Sequence, residues 1–245
     1  MASRFFFRAK IHSVRKRVLP YRKLKNDFYE SLRLTCSGSV LFVPENLYCI
    51  DYAVRHMPEQ GSVIEIGSFL GMSTCMIAHY LQKYRRGNRF YSCDRWEFEE
   101  KEKNFYEQSL GISRQNMKQF VKESFIRNLR FFQPSRLPFT IELFSDEFFE
   151  KWNQAAEATD VFGRTTALGG AISFAYVDGN HQLEFVRRDF QHIDRHLAKG
   201  GFIFFDDSAS FIESGMHGFM REMKRNDGYK LVLKNPNQLW QKIKQ

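Results

Sequence analysis

The residues with chemistry in their spacing begin at Glu65. It sits in an apolar run, Val63 to Ile66, that breaks at Gly67, and Gly71 then opens an apolar segment with helical spacing. The order reads as a buried strand, a tight turn and a helix N-terminus. Such a turn brings backbone N–H groups close to a ligand, and the helix dipole favours negative charge there. Glu65, the acid of the strand end, suits a cationic or hydroxylated group. A ligand with a carboxylate, a positive centre and a ribose would meet all three demands. Asp94 lies 27 residues beyond Gly67, where an acid can hold two ribose hydroxyls. The alternative is a loop acid with no ligand. Phe69 stands where the second glycine of G-x-G-x-x-G would be. A dinucleotide pyrophosphate needs that close approach, so the turn suits a mononucleoside ligand.

A second group lies further along. Asp178-Gly179-Asn180-His181 and Asp206-Asp207 each follow an apolar run. Three carboxylates at neighbouring strand ends repel unless protonated or bound to a cation. Hard oxygen ligands suit Mg²⁺, and His181 could take a proton from a hydroxyl that the metal has acidified. In the alternative, Asp178 caps the next helix and His181 only packs. His192, His196 and His217 fall on helix surfaces and receive no role.

The elements that must position these residues follow from periodicity. Strands are expected at Ser62–Ile66, Phe90–Cys93, Phe139–Phe144, Ile172–Val177 and Phe202–Phe205. Helices are expected over Pro44–Met57, Met72–Tyr84 and Met216–Lys224, and over segments carrying Phe148, Phe149 and Trp152, and Val186, Phe190 and Ile193. Ser145 is expected to cap a helix. Thr159 to Gly170 reads as a loop, and a closing hairpin, Tyr229–Leu233 with Gln238–Ile243, turns at Asn235-Pro236-Asn237. The alternation predicts an α/β fold: a Rossmann-like, seven-stranded, mostly parallel sheet with an antiparallel C-terminal hairpin strand and helices on both faces. Ligands of such sheets sit outside the carboxyl ends of the strands. Those ends carry Glu65, Asp94, Ser145, Asp178 and Asp206-Asp207.

Glu65-Ile-Gly67-Ser68-Phe69-Leu-Gly71-Met-Ser73 resembles the first motif of class I S-adenosylmethionine-dependent methyltransferases, above all the metal-dependent O-methyltransferases of the catechol and macrolide-sugar type. Asp94-Arg-Trp96 resembles the macrolide-sugar branch. The resemblance implies cofactor contacts at Glu65, Gly67, Ser68, Phe69, Gly71, Ser73, Asp94, Trp96, Ser145 and Asp178. It implies Mg²⁺ on Asp178, Asp206 and Asp207, with His181 as base. The implied reaction is methyl transfer to a hydroxyl of a sugar, a polyketide-like natural product or a surface glycan. The resemblance covers residues 40 to 245, and 97–137 falls where such enzymes vary their acceptor lid.

The 245 residues carry a net charge of +9, yet residues 1 to 26 hold nine Lys or Arg and no acid. The rest balances at 28 basic against 28 acidic residues, which argues against a nucleic-acid face on the domain. Phe7, Ile11, Val14 and Val18 form one helical stripe. We therefore divide the chain into a basic amphipathic extension, 1–40, and a domain, 41–245. The tail could pack on the domain, touch a membrane surface through 1–26, or act as an organelle presequence. No apolar run is long enough to span a bilayer. Cys36, Cys49, Cys75 and Cys93 lack metal spacing and read as reduced thiols, so a cytoplasmic, possible homo-oligomeric protein is expected. The competing reading keeps the fold but makes it a non-catalytic or differently catalytic relative, tethered by its tail to a membrane or polyanion.

Overall fold

The computed structural model describes residues 21–36, 42–97, 105–210 and 215–244. The expected stripe Phe7 to Val18 lies outside them. The helices are α1 (Asp27–Thr35), α2 (Asn46–His56), α3 (Met72–Lys83), α4 (Arg114–Phe132), α5 (Ser145–Asn153), α6 (Leu183–His196) and α7 (Met216–Met223). The strands are β1 (Ser62–Ile66), β2 (Phe90–Cys93), β3 (Phe139–Ile141), β4 (Glu157–Thr159), β5 (Thr165–Ala167), β6 (Ile172–Val177), β7 (Leu197–Phe205), β8 (Tyr229–Lys234) and β9 (Gln238–Lys242). A short π-helix, Phe105–Ser109, precedes α4.

Seven strands form one sheet in the order β3-β2-β1-β6-β7-β9-β8. β9 pairs antiparallel with both β7 and β8, while β1, β2, β3, β6 and β7 pair in parallel. Alternation along each strand divides the apolar residues between two cores. Val63, Phe174, Tyr176, Phe202 and Phe204 meet α1, α2, α3 and α4 on one face. Ile64, Ala175, Val177, Ile203 and Phe205 meet α5, α6 and α7 on the other. This two-sided burial is why the strands read as unbroken apolar runs.

The structure departs from the expected elements in several places. Tyr29 and Leu32 of α1 are buried in the same core as α2, so the packed body begins before residue 41. The Thr/Gly-rich stretch is a small hairpin, β4 with β5, and not a plain loop. β3 ends at Ile141, because Phe144 already stands at the N-cap of α5. Ser145 does not cap that helix; the Glu147 carboxylate accepts the Phe144 N–H instead (3.0 Å). Finally, α4 buries Met117, Val121, Phe125 and Leu129, so this part of 97–137 is core material rather than lid. Residues 98–104 lie outside the described set.

Two glycines are forced by geometry. Gly67 has φ +80°, and a Cβ there would stand 2.1 Å from the Asp178 carbonyl oxygen. Gly71 has φ +88°, and its Cβ would meet the Leu129 side chain at 2.5 Å. Gly87 has open space around it and an ordinary φ. Urea unfolding should therefore show Gly67→Ala destabilised on the order of 3 kcal/mol, with Gly87→Ala unchanged to within about 0.5 kcal/mol. Equal midpoints for the two variants would contradict the close approach.

Candidate active site

The parallel ladder continues past the strand ends, and four hydrogen bonds join five of them. The Gly67 N–H donates to Cys93 O (3.0 Å) and the Asp94 N–H to Ile141 O (3.2 Å). The Asp178 N–H donates to Ile66 O (2.8 Å) and the Asp206 N–H to Val177 O (3.0 Å). All the acids singled out from the sequence are thus gathered at the carboxyl edge of one sheet, around the point where the strand order reverses, with β2 and β3 on one side of β1 and β6 and β7 on the other.

The glycine turn is held from two sides. Asp94 Oδ2 accepts the N–H groups of Ser68 (2.7 Å) and Phe69 (2.8 Å), and Asp94 Oδ1 accepts that of Trp96 (2.6 Å). Burial pushes the Asp94 pKa up, and these three donors oppose the shift. A carboxylate offers about four lone-pair sites, so a further donor can still be met. Phe69 adopts φ +43°, and the Gly71 N–H closes the turn on Ser68 O (2.7 Å). Trp96 is buried, and its indole N–H donates to Phe69 O (2.9 Å). What Trp96 supplies in this structure is support for the turn.

Glu65 differs from the expectation of a ligand-facing acid. It is fully buried. Its Oε2 accepts the hydroxyls of Ser68 (3.1 Å) and Thr74 (2.6 Å), while Oε1 has no hydrogen-bond partner among the described residues. Ser68, expected at the cofactor, thus spends its hydroxyl on Glu65. Burial pushes the Glu65 pKa up to about 7 despite those hydrogen bonds. Burial likewise raises the pKa of Asp189 of α6 to about 7.

At the ends of β6 and β7 the structure brings Asp178, His181 and Asp207 together. His181 Nε2 lies 3.3 Å from Asp178 Oδ1, and Nδ1 lies 3.4 Å from Asp207 Oδ2. All three side chains are about a third exposed, at 33–36%. Burial disfavours charge on His181, but the hydrogen bond to Asp178 and the charges of Asp178, Asp207 and Asp206 outweigh it, raising its pKa to about 9. Asp178 is pushed up to about 8 by burial and by Asp206, against the pull of His181. Asp178 does not cap α6, whose N-cap is Gln182.

Asp206 stands apart from that group. It is buried, with Oδ1 accepting from Asn46 (3.0 Å), from the Asp207 N–H (2.9 Å) and from Asn237. Its Oδ2 accepts the Tyr176 hydroxyl (2.7 Å). Among the described residues no three His, Cys, Asp or Glu side chains gather around one point as a metal set. Of the three expected carboxylates, Asp178 and Asp207 are the partly exposed ones, each beside a ring nitrogen of His181. Two hard, partly exposed carboxylates do fit Mg²⁺, which completes its shell with waters and substrate oxygens. Asn46, Asn237 and Tyr176 escaped the sequence reading, because nothing in sequence separates a buried asparagine from one in a solvated turn.

A glycine turn, the acid that holds it and a histidine–carboxylate group thus share the carboxyl edge of one sheet, where ligands of open α/β sheets bind. The family model described as a methyltransferase domain matches residues 64–208, more than half of the chain, and the chain belongs to that family. Solved structures share the fold. CalS11, a TDP-rhamnose 3'-O-methyltransferase of calicheamicin biosynthesis, gives a TM-score of 0.55 at 16% identity, over 88% of this chain and 85% of that one. A putative caffeoyl-CoA O-methyltransferase from Staphylococcus aureus gives 0.56 at 16% identity, over 90% and 93%. The O-methyltransferase TomG from Streptomyces achromogenes, solved in complex with S-adenosylmethionine, gives 0.52 at 13% identity, over 90% and 92%. No curated protein sequence matches the chain. No described helix is long and apolar enough to cross a membrane.

The Glu65 shift has a consequence for stability. Its folded-state pKa lies above the ordinary 4.5, so the folded protein keeps a proton that the unfolded chain releases. The contribution is complete below about pH 4.5 and is lost as pH climbs through about 7. A shift of this size corresponds to roughly 3 kcal/mol. Thermal unfolding of Glu65→Gln across that window should show a shallower fall in stability than the parent chain. Parallel curves would show that Glu65 ionises normally.

Proposed function

We propose that the protein transfers a methyl group from S-adenosylmethionine to a hydroxyl oxygen. The observation that carries this reading is the shared sheet edge, which places the Ser68–Gly71 turn and Asp94 beside Asp178, His181 and Asp207. The turn and the helix N-terminus of α3 suit the carboxylate of the methionine part. Asp94, with a lone pair left over, suits a ribose hydroxyl. The sulfonium methyl is already activated, so the protein's main task is to align an oxygen with it.

Asp178 and Asp207 are the residues that would hold Mg²⁺. The ion there would supply Lewis-acid polarisation of the acceptor oxygen. His181 keeps Nδ1 toward Asp207 and Nε2 toward Asp178, and it would take the acceptor proton through Nε2 once that nitrogen turns from Asp178 to the hydroxyl. Asp206, placed by the sequence among the ligands, serves here as support. The acceptor class that this reading favours is the hydroxyl of a sugar, a polyketide-like natural product or a glycan, because a metal and a general base are needed where the hydroxyl is only weakly acidic.

Three measurements test the reading. Isothermal titration should show S-adenosylmethionine binding to the full chain, and no binding at millimolar cofactor would overturn it. His181→Ala should bind the cofactor as the parent does while turnover falls by about 10²- to 10⁴-fold. Chelation by EDTA should abolish turnover; full activity in EDTA would remove the metal from the account.

A further inference from the structure

The two acids after β7 are neighbours in sequence and opposites in environment. Asp206 is buried among four donors, while Asp207 is a third exposed and faces His181. Asp207 also has φ +52°, a left-handed conformation that a non-glycine residue keeps only when its surroundings hold it there. The holding bond is visible: the Asp207 N–H donates to Asp206 Oδ1 (2.9 Å). The Asp206 carboxylate is in turn fixed by Asn46, Asn237 and Tyr176.

These donors come from three separate elements and form a closed set. Asn46 is the first residue of α2; its Nδ2 also reaches the Tyr176 hydroxyl (3.3 Å), and its Oδ1 accepts from Asn237 Nδ2 (3.1 Å). Asn237 lies in the turn between β8 and β9, and its Oδ1 accepts the Ala209 N–H (2.9 Å), two residues past Asp207. The same turn is clamped by Asn235, whose Oδ1 accepts the Arg22 N–H (2.7 Å) and whose Nδ2 donates to Arg22 O (2.8 Å) and Glu45 O (2.9 Å). Asn46 and Asn237 are both fully buried. Burying this many polar groups is costly unless each is satisfied, so the set is rigid.

We infer that Asn46, Asn237 and Tyr176 are positioning residues of the reaction centre: through Asp206 they hold the Asp207 backbone left-handed, so that its carboxylate stays turned toward His181 and Asp178. The inference rests on the reading of that group as the reaction centre. It assigns catalytic weight to the C-terminal turn and to the start of α2, which touch neither Asp178 nor His181.

The test uses Tyr176→Phe and Asn237→Ser in the full chain. Tyr176→Phe removes one donor to Asp206 and keeps the ring that stacks on Phe204. Mn²⁺ alone is titrated by electron paramagnetic resonance, and S-adenosylhomocysteine by calorimetry. The expected result is a loss of Mn²⁺ affinity of about 10- to 100-fold with S-adenosylhomocysteine affinity kept to within about twofold. A general loosening of the fold would weaken both ligands together and would overturn the inference, as would unchanged Mn²⁺ affinity. If Asn237→Ser does not fold, Tyr176→Phe reads the same quantity. A parent chain that takes up no Mn²⁺ overturns the reaction-centre reading itself, an outcome distinct from equal uptake by parent and variants.

Discussion

The site depends on how closely the chain passes itself at Gly67. There the end of β1 runs so near the Asp178 carbonyl that no side chain fits between them. β1 and β6 are hydrogen-bonded neighbours up to Ile66 and Val177, and the Asp178 N–H extends the ladder one step further. The chain then diverges, to the Ser68–Gly71 turn on one side and to Asp178 and His181 on the other. A single side-chain atom at position 67 would force these branches apart. The glycine thus serves the proposed donor site and the proposed acceptor site at once.

Around this contact, polar groups are spent on holding backbone. Asp94 holds the turn by three N–H groups, Glu65 collects the hydroxyls beneath it, and Asp206 fixes the neighbouring acid. Each is a buried or partly buried carboxylate satisfied mainly by neutral donors, which is why burial raises all three pKa values. The groups left facing the crevice, Asp178, His181 and Asp207, are the ones with exposure and mutual charge. Structural acids and chemical acids differ here by burial, not by residue type.

Much of the fold was legible. β1, β2 and β6 fall on the expected residues because a strand covered on both faces is an unbroken apolar run, and Gly or Asp ends each one. β4, β5 and α1 were not legible. Three-residue strands rich in Thr carry no periodic signal, and α1 follows a basic tail whose charge masked Tyr29 and Leu32. The acids of the site were legible as strand-end residues. Their division of labour was not: Asp206 and Asp207 lie in a turn past the end of β7, with Asp207 left-handed, so which of them faces the crevice depends on Asn46 and Asn237, which arrive from distant parts of the sequence.

The central claim is that the crevice above Gly67 is the cofactor site. A crystal structure of the chain with S-adenosylhomocysteine tests it most directly. The account predicts ligand density over the Ser68–Gly71 turn, with the ribose against the Asp94 carboxylate. Density elsewhere, such as in the cavity of about 310 Å³ lined by Glu59, Gly87 and Arg89, with this crevice empty, would contradict it.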